Sequence, residues 1–467
     1  MERRKKTIID VVKGGYCVGC GGCAYAGGFE MKLNKYGEFL PDLSKYEELA
    51  SDVPSKVCPF LNEELNEDRL SERFLDQSQH RSDKIGAYIG LYGGHVVESN
   101  FRDAGTSGGF GTWIGVELMR KGLIDGVIHV GSRERANQEG PFYGYTISLN
   151  QDEARAASRT KYHVIEFSEV LKLVKANQGK RYLFVGLPCF VKAIRRIQVY
   201  DHDMRNAIAY TASLVCGHLK SSNWSLSLGW GCGISPKNLV GIKYRTKGEG
   251  IPARAYVFTA YSQEREIVKD SAKVVGGKFN QGALMLNACN FCDDVVGETA
   301  DITIGDAWLP RFEMDPDGNN MLVVRNADIL GVILDAKAEG RVSLSELSEK
   351  EAIDAQAGGF RQRREGLSIR LEEADKKGIW RPEKRVLPGE YRVPGLRREI
   401  YRRRASISVV SREAFSDAVD DDDFSIYERR LGFHLRVLRF LEILSSLPRI
   451  LRKKAAYLTL KFFPNRR

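Results

Sequence analysis

Residues 181–197 read RYLFVGLPCFVKAIRRI, and this stretch decides the fold class. Its first half is a short apolar run that ends in a Gly-x-Pro turn, which is typical of a buried strand. The second half has the spacing of a helix, and AIAYTASLVC at 207–216 is again a strand. Strands that alternate with helices in this way favour an α/β fold with a mainly parallel sheet.

The alternation continues on both sides of this stretch. The branched run at 123–130 is typical of a buried strand, and residues 320–355 repeat the order strand, helix, strand. Residues 240–250 and 253–261 are expected to form an antiparallel pair. Residues 107–122 are expected to form a helix whose large apolar side chains share one face: Phe110, Trp113, Ile114 and Leu118.

These patterns divide the chain into three parts. We expect an α/β fold with α+β elements, opening with a small, loop-rich module at 1–80. A mixed, mainly parallel-sheet domain follows at 81–360, and an Arg-rich helical region occupies 361–467.

The 467-residue chain carries a net charge of +10, and the whole excess lies near its end. From Trp380 to Arg467, 21 Lys and Arg face 11 Asp and Glu, so the preceding residues are electrically balanced. A balanced body argues against nucleic-acid binding, and the basic segment needs an explanation of its own.

The sequence shows neither a secretory leader nor a membrane span. No apolar run reaches the ~18 residues that cross a bilayer, and the apolar part of MERRKKTIIDVV is too short for a signal peptide. We therefore expect a cytoplasmic protein. Because the cytosol keeps thiols reduced, the nine cysteines are expected to be metal ligands or catalytic thiols rather than disulfides.

Cys17, Cys20 and Cys23 follow the two-residue spacing of a ferredoxin run. This spacing suits three corners of a [4Fe–4S] cluster, whose fourth ligand must then be remote. Gly27 stands where an in-line fourth cysteine would follow, and Cys58, which is followed by proline, is the candidate fourth ligand. A zinc site is the alternative, although zinc prefers two separated C-x2–4-C pairs. A vestigial loop is the third possibility.

A second group of cysteines is less clear from spacing alone. One C-x2-C pair, Cys289 and Cys292, could be a zinc half-site, a redox pair or two buried thiols. Cys189 follows one strand and opens a helix, whose dipole should acidify the thiol, and Cys216 ends the next strand. Strand ends of a parallel sheet share one edge, so we expect these four to hold a second cluster. Cys232 is expected to be structural.

The segment RDAGTSGGFGTWIG at 102–115 is a candidate phosphate loop. Thr106 or Ser107 could cap a helix that starts around Gly108, and the small residues would let a phosphate approach the free amides. A tight turn with an ordinary cap is the alternative.

Taken in order, these motifs resemble the beta-subunit family of deazaflavin-coenzyme (F-420) reducing hydrogenases and dehydrogenases. The resemblance covers residues ~14 to ~345. It rests on the cysteine triad with a remote Cys-Pro and on TSGGFGTWIGVELMRKGLIDGVIHV, SRTKYHV, FVGLPCFVKAIRRI, CNFCDDVVGETADITIGDAW and NMLVVR. It implies FAD and one or two [4Fe–4S] clusters, with electrons moving between clusters, flavin and a second carrier or substrate.

A mechanism that pairs a cluster with a flavin suggests roles for two residues. Lys161 would stabilise charge on the reduced flavin and His218 would donate a proton, although a surface lysine and a structural histidine are the ordinary alternatives. The chain departs from members with an in-line fourth cysteine and a ferredoxin-like domain, so we expect one N-terminal cluster. The positions matched to FAD or substrate contacts are Thr106, Ser107, Gly108, Gly109, Lys161, Tyr162, Gly186, Pro188 and Asp306.

The expected function is therefore an iron–sulfur flavoprotein oxidoreductase. Its expected partners are an electron donor such as a ferredoxin, or a reduced deazaflavin or nicotinamide carrier, together with an unknown small-molecule substrate. The alternatives are a non-catalytic electron-relay subunit of a larger complex and a zinc-bound scaffold protein.

The C-terminal region has the pattern of a basic amphipathic helix. Pro448 is expected to break it into two helices. Such a helix could lie on the inner face of a membrane, bind a protein partner or pack on the body, and these three possibilities stay open. The leucines at helical spacing are Leu431, Leu435, Leu438, Leu441 and Leu444.

Overall fold

The computed structural model describes residues 5–49, 51–61, 63–133, 140–247 and 256–462. The strands, in chain order, are β1 Met31–Leu33, β2 Phe39–Pro41, β3 His80–Ser82, β4 Gly86–Tyr88, β5 Gly90–Val96, β6 Gly126–Ser132, β7 Tyr143–Ser148, β8 Tyr182–Gly186, β9 Ile208–Leu214, β10 Gly241–Tyr244, β11 Val257–Tyr261, β12 Glu266–Asp270, β13 Ile302–Asp306, β14 Asn320–Val324 and β15 Val342–Glu346.

The helices are distributed along the whole described chain. In order they are α1 Ile8–Lys13, α2 Gly22–Gly27, α3 Val53–Lys56, α4 Glu67–Phe74, α5 Phe101–Ala104, α6 Phe110–Arg120, α7 Gln151–Ala156, α8 Ser168–Ala176, α9 Pro188–Tyr200, α10 His202–Ala207, α11 Ser222–Trp230, α12 Pro310–Glu313, α13 Ala327–Ala338, α14 Glu349–Ala355, α15 Ala357–Arg363, α16 Glu365–Lys376, α17 Gly395–Asp420 and α18 Phe424–Phe462.

An eight-stranded sheet organises the fold, with the strand order β15-β5-β14-β13-β9-β8-β6-β7. The four neighbouring strands β13, β9, β8 and β6 run parallel, and β5 points the same way. The remaining three strands are antiparallel to these, so the sheet is mixed with one prevailing direction. The predicted α/β class is confirmed.

Adjacent residues of β8 show how the sheet is covered on both faces. Leu183 joins an apolar cluster that contains Trp113 of α6 and Ile333 of α13. Phe184 points the opposite way and joins a second cluster, which contains Phe190 of α9. Because side chains alternate along a strand, helices on both faces bury Tyr182, Leu183, Phe184 and Gly186 and leave Val185 half-buried. The strand and helix predicted for residues 181–197 are therefore confirmed.

A separate antiparallel sheet is formed by β10, β11 and β12. The antiparallel pair predicted for 240–261 is confirmed where the structure describes it, although residues 248–255 lie outside the described ranges. Strand, helix and strand also follow one another in β14, α13 and β15, as predicted.

The C-terminal helices α17 and α18 form a long hairpin on the body. Phe415 of α17 and Tyr427, Leu431 and Leu438 of α18 are buried in the same apolar cluster as the sheet residues. That cluster also takes in Val18 from the N-terminal module, so buried residues on both sides of positions 80 and 360 share one core. The predicted divisions at these positions stay predictions.

The prediction that Pro448 divides the tail into two helices is wrong. A single helix, α18, runs from Phe424 to Phe462. Proline removes one intrahelical hydrogen bond, and long helices tolerate this loss with a local bend. In the part of the chain that the structure describes, none of the helices combines the length and apolar character required to cross a membrane.

Candidate functional site

Cys17, Cys20, Cys23 and Cys58 come together in the N-terminal module. The first three lie in the loop between α1 and α2 and in α2 itself, and Cys58 follows α3. Burial raises the pKa of Cys23 well above its ordinary value, and Cys17, Cys20 and Cys58 raise it further, so all four sulfurs are within electrostatic range. The remote cysteine therefore lies near the triad, and its role as the fourth ligand stays a prediction.

Two glycines allow the triad loop to take its path. Gly19 has φ +66°, and its amide donates to the Cys17 sulfur at 3.3 Å. Gly21 has φ +88°, and a Cβ there would lie 2.7 Å from the Glu166 carboxylate. The neighbouring Cys20 carbonyl accepts the Phe167 amide at 2.9 Å, which ties the loop to the residues before α8. Both glycines are required by left-handed backbone and close approach.

Three cationic side chains lie near Cys58. Burial is the largest effect on Cys58 and raises its pKa, while Arg196, Lys192 and Lys384 act in the opposite direction. Arg196 donates to the Cys58 carbonyl. A buried thiolate cluster is anionic, so nearby cations offset part of its desolvation cost.

The second set of cysteines also converges. Cys189 lies in the first turn of α9, Cys216 follows β9, and Cys289 lies in a 3₁₀ turn that ends just before Cys292. Strands β8 and β9 are parallel neighbours, as predicted. All four cysteines line one small cavity, whose other lining residues are Val18, Phe60, Leu187, Pro188, Leu219, Asp294 and Arg363.

The predicted acidification of Cys189 by the helix dipole is wrong. Burial raises the pKa of this thiol well above its ordinary value, and Cys292, Cys216 and Cys289 raise it further. At an exposed site, the helix N-terminus stabilises a thiolate by up to about 1 kcal/mol. This gain is smaller than the free-energy cost of burying the thiolate without a partner. The dipole is present, but desolvation dominates.

Arg363 is the main polar partner of the second set. Its Nη2 atom donates to the Gly217 carbonyl at 2.8 Å and lies 3.8 Å from the Cys216 sulfur. Its Nε and Nη1 atoms are buried and have no hydrogen-bond acceptor among the described residues. A buried guanidinium with two unused donors fits an anionic acceptor at this cavity.

Both sets fit a [4Fe–4S] cluster in the chemistry of their donors. All nine cysteines are free thiols, and amides of Gly19 and Leu219 donate to the sulfurs of Cys17 and Cys289 at 3.3 and 3.2 Å. Such N–H to sulfur bonds are characteristic of cluster ligands. Over the described ranges, no three His, Cys, Asp or Glu side chains converge on a position for a single metal ion.

The two cysteine sets are neighbours. Cys20 contributes to the raised pKa of Cys189, and both cysteines contribute, after burial, to the raised pKa of Tyr145. Val18 and Phe60 of the N-terminal module line the cavity of the second set. The module therefore closes one side of the second site, and the two sites share a dry, aromatic boundary.

The glycine-rich loop differs from the prediction at its cap. The helix α6 begins at Phe110, and its N-cap is Gly109, with φ +91°. The Phe110 amide donates to the Asn320 side chain at 3.1 Å. The predicted cap by Thr106 or Ser107, with a helix from Gly108, is therefore wrong, because a side chain from β14 supplies the acceptor.

Thr106, Ser107 and Gly108 contact protein groups instead. The Thr106 hydroxyl lies 2.8 Å from that of Thr160, and the Ser107 hydroxyl donates to the Asn319 carbonyl at 3.1 Å. A Cβ on Gly108 would lie 2.7 Å from the backbone nitrogen of Asn320. Close packing against β14 thus accounts for this glycine.

A group of cations flanks this loop. Lys161 donates to the Ser158 carbonyl at 2.9 Å, and burial, with a smaller effect of Arg159, lowers its pKa to about 8. Lys247 donates to the Arg102 carbonyl at 2.7 Å; burial lowers its pKa, Asp317 and Asp103 act in the opposite direction, and Arg102 and Arg159 lower it slightly further. An anion here would relieve the repulsion, so these side chains fit the pyrophosphate of FAD.

Aromatic side chains connect this cationic group with the second cysteine set. The Tyr162 ring lies 4.7 Å from Phe279, which stacks on His218 at 4.2 Å, and His218 is two residues after Cys216. Burial lowers the pKa of His218 well below its usual value, and its Nε2 atom has no hydrogen-bond partner among the described residues. A proton-donor role for His218 stays a prediction.

The other predicted contacts lie near the cysteine edge of the sheet. Pro188 is the first residue of α9 and lines the second cavity, and a Cβ on Gly186 would lie 2.7 Å from the Phe184 ring. Asp306 pairs with Arg245 at 2.7 Å. These three residues organise the ends of β8 and β13.

Sequence reasoning missed several side chains of the site. Arg363 lies in an Arg-rich stretch with no distinguishing spacing, and Phe279 is one of 21 phenylalanines. Lys220, whose pKa burial lowers to about 7, lies 5.2 Å from the Phe279 ring. Only its position four residues after Cys216 could have drawn attention to that lysine.

Comparisons with known proteins agree with these motifs. Two family models of the coenzyme F420 hydrogenase/dehydrogenase beta subunit match the chain. The one for its N-terminal part matches residues 91–172, and the one for its C-terminal part matches residues 179–350. Together the two models cover more than half of the chain.

Individual relatives are distant. An uncharacterized protein of Methanocaldococcus jannaschii is 24% identical over 257 residues, which are 53% of this chain and 64% of that protein, so the chain spans less than two thirds of it. A chain of the F420-reducing [NiFe] hydrogenase complex from Methanosarcina barkeri is 17% identical, with a TM-score of 0.48 over 65% of this chain and 99% of that one. On the two family models, this chain belongs to the coenzyme F420 hydrogenase/dehydrogenase beta-subunit family, a family of iron–sulfur-containing redox subunits.

Proposed function

We propose that this chain is an iron–sulfur flavoprotein oxidoreductase with two [4Fe–4S] sites and one FAD site. The proposal rests above all on eight free cysteines, two of them buried and six half-buried, arranged in two neighbouring groups of four. Cys17, Cys20, Cys23 and Cys58 would hold one cluster, and Cys189, Cys216, Cys289 and Cys292 would hold the other. The N-terminal module would still hold one cluster, as expected, because the second cysteine set lies at the edge of the eight-stranded sheet.

When bound, the clusters would supply one-electron transfer and the flavin would combine single electrons into pairs. The protein's own residues prepare the surroundings. Buried Val18 and Phe60 exclude water from the cavity of the second set, and Arg363 offers two unused donors to its anionic occupant. Backbone amides at Gly19 and Leu219 fix the orientation of two cysteine sulfurs.

The flavin would bind between the cationic group and the second cysteine set. Lys161, Arg159 and Lys247 would hold its phosphates beside Thr106, with Ser107, Gly108 and Gly109 shaping the loop. Lys161 would also hold positive charge near the reduced ring. Tyr162 would contact the flavin or the substrate. The neighbouring rings of Tyr162, Phe279 and His218 lead from the proposed flavin site toward Cys216.

A non-catalytic relay subunit is the second candidate function. The observation in its favour is that Tyr162 is already surrounded by protein rings, with Phe279, Tyr244 and Trp224 at centroid distances of 4.7, 5.6 and 6.0 Å. A relay would pass electrons to a partner protein and would need no substrate pocket. A ferredoxin-type donor, or a reduced deazaflavin or nicotinamide carrier, is proposed as the electron donor in either case.

Anaerobic purification with joint measurement of iron, sulfide and flavin tests the proposal. The expected result is about eight irons per chain, from four per cluster, with one flavin. Cys58→Ser and Cys289→Ser should each remove about half of the iron and leave the flavin. Cys232→Ser is the matched control and should change neither, because Cys232 lies in neither group.

The outcomes separate the candidate functions. Full iron without flavin, and no reoxidation of the reduced protein by small-molecule acceptors in the absence of a partner, would favour the relay. Bound zinc in place of iron would contradict both redox proposals and favour a scaffold. Iron loss in Cys232→Ser equal to that in Cys58→Ser would contradict the assignment of ligands.

A further inference from the structure

The outer face of α18 combines large apolar side chains with arginines. Four apolar side chains are unusually exposed: Phe433 at 56%, Phe440 at 61%, Ile443 at 50% and Leu447 at 41%. Their spacing of seven, three and four residues places them on one side of the helix, over a length of about 21 Å at 1.5 Å per residue.

The arginines belong to the same exposed face. Arg436 lies three residues after Phe433 and four before Phe440, and Arg429 and Arg439 are also exposed. Among residues 424–447 the acidic residues are Glu428 and Glu442, and Arg404 of α17 neutralises Glu442 at 2.6 Å. The face is therefore both apolar and positively charged.

The opposite side of α18 packs on the body, which leaves this face exposed to solvent. Tyr427, Leu431 and Leu438 are buried in the core, and the Phe424 ring stacks on Trp230 at 5.2 Å. A side chain on Gly276 would meet Leu431 at 2.8 Å, so the helix is tightly seated on the body. The helix cannot turn its exposed phenylalanines inward without losing this packing.

We propose that this outer face of α18 binds the surface of an anionic lipid bilayer, with the helix lying in the plane of the membrane. The phenylalanines and aliphatic side chains would enter the headgroup boundary, and the arginines would contact lipid phosphates. Phe and Leu beside Arg at this spacing is the pattern of an interfacial helix rather than of a spanning one.

Charge complementarity favours lipid over the other occupants. If a second copy of the chain docked on this face, the arginines of the two copies would meet: Arg429, Arg436 and Arg439. Glu428 is the exposed carboxylate near them, so like charges would repel one another. The apolar side chains stand on the outer side of a helix that packs on the body through its other side. A fluid anionic layer can meet such a surface without a groove.

Flotation of the full-length protein with vesicles tests this proposal. We expect binding to vesicles of phosphatidylcholine with 30% phosphatidylglycerol, weak binding to pure phosphatidylcholine, and loss of binding as salt increases. The double variant Phe433→Ser, Phe440→Ser should weaken the partition coefficient by about tenfold or more. Arg436→Glu should weaken it by about tenfold, since it reverses one charge.

A matched control uses exposed apolar residues elsewhere. Leu173 on α8 and Val268 on β12 are 56% and 55% exposed, so Leu173→Ser with Val268→Ser removes similar apolar surface. This control should bind vesicles like the unaltered protein. All five altered positions, Arg436 included, are exposed, so each variant is expected to fold.

Three results would overturn the proposal. The first is absence of binding to anionic vesicles, and the second is equal loss in the control and in the phenylalanine variant. The third is that self-association, or binding of an acidic protein, requires Phe433 and Phe440 whereas vesicle binding does not require them. Light scattering of the same samples reports the mass and distinguishes the last case.

Discussion

At the scale of single residues, Gly21 shows how backbone geometry links a cysteine loop to the body. Its φ of +88° and the 2.7 Å approach of Glu166 impose separate costs on any side chain. Gly21→Ala should therefore lower the free energy of unfolding by about 3 kcal/mol, which combines left-handed strain with overpacking. Urea unfolding, followed by tryptophan fluorescence, measures this.

Gly28 is the matched control for that change. It has φ +72°, but a Cβ there would meet no atom within 4 Å. Gly28→Ala should cost about 1 kcal/mol from backbone strain alone. Equal losses in the two variants would contradict the argument that contact with Glu166 constrains Gly21.

Arg363 is the residue whose charge should matter most to the second site. Burial alone would lower its pKa, but Cys292, Cys216 and Cys289 raise it more strongly, so the guanidinium stays charged. Arg363→Leu should make reduction at this site less favourable and lower its midpoint potential by about 60 mV, equivalent to tenfold for one electron. Potentiometric titration followed by electron paramagnetic resonance measures the shift.

Arg363→Lys is the control, because it keeps a positive charge while losing the planar donor fork. Its midpoint potential should lie closer to that of the unaltered protein than to that of Arg363→Leu. An unchanged potential in Arg363→Leu, with full iron content, would show that this cation does not act on the second site.

The lowered pKa of Lys161 predicts a pH dependence for the binding of FAD. Burial lowers its folded pKa to about 8, so the free protein loses this charge as pH rises through that value. Binding an anion then requires uptake of a proton, and the Kd for FAD should rise by up to about tenfold per pH unit above pH 8, and little below it. Calorimetry between pH 6.5 and 9.5 measures this slope.

Lys161→Met should bind FAD more weakly at pH 7 and should lose most of the slope. Lys172→Met is a suitable control, because Lys172 is on the exposed side of α8 and pairs with Glu169 at 2.7 Å. A slope that persists in Lys161→Met would assign the titration to another group, such as Lys247.

At the scale of elements, local pattern predicted β8 and α9 because the apolar run and the helical spacing are both read from neighbouring residues. The apolar run of β8 and the helical spacing after Pro188 each agree with the core they enter. The cap of α6 could not be predicted, because its acceptor, Asn320, is 210 residues from Phe110. Pro448 misled because the helical pattern continues on both sides of it, and a long helix tolerates the loss of one intrahelical hydrogen bond.

The hairpin of α17 and α18 should contribute to the stability of the body. Leu431 is fully buried beside Gly276, so Leu431→Ala should cost about 2–4 kcal/mol, from lost apolar burial and the cavity left behind. Leu447→Ala is the same change on the same helix at a position that is 41% exposed. It should cost less than about 0.5 kcal/mol.

Urea unfolding of both variants, without lipid, measures the difference. If Leu431→Ala were as mild as Leu447→Ala, the helix would contribute little to the cooperative unit, and its packing on the core would be loose. A large effect in both variants would instead indicate that the exposed face has a partner in solution.

At the scale of the whole molecule, the membership of each cysteine set was predictable and the distance between the sets was not. Spacing and the Cys-Pro pair indicated the first set, and strand ends indicated the second. That Cys20 and Cys189 influence one another depends on how the N-terminal module closes over the sheet edge, which only tertiary packing decides. The charges of Arg363 and Lys384 near the cysteines are likewise long-range placements.

This proximity predicts magnetic coupling in the loaded protein. With two paramagnetic centres on either side of the Cys20–Cys189 boundary, the fully reduced protein should give an electron paramagnetic resonance spectrum that is broadened or split. Cys58→Ser, which should lose only the first centre, should give the narrower spectrum of one isolated site with about half of the spin. Cys232→Ser should retain the coupled spectrum. A spectrum of the unaltered protein that equals the sum of the Cys58→Ser and Cys289→Ser spectra would mean that the two centres are magnetically isolated, and would contradict the proposed closeness of the two clusters.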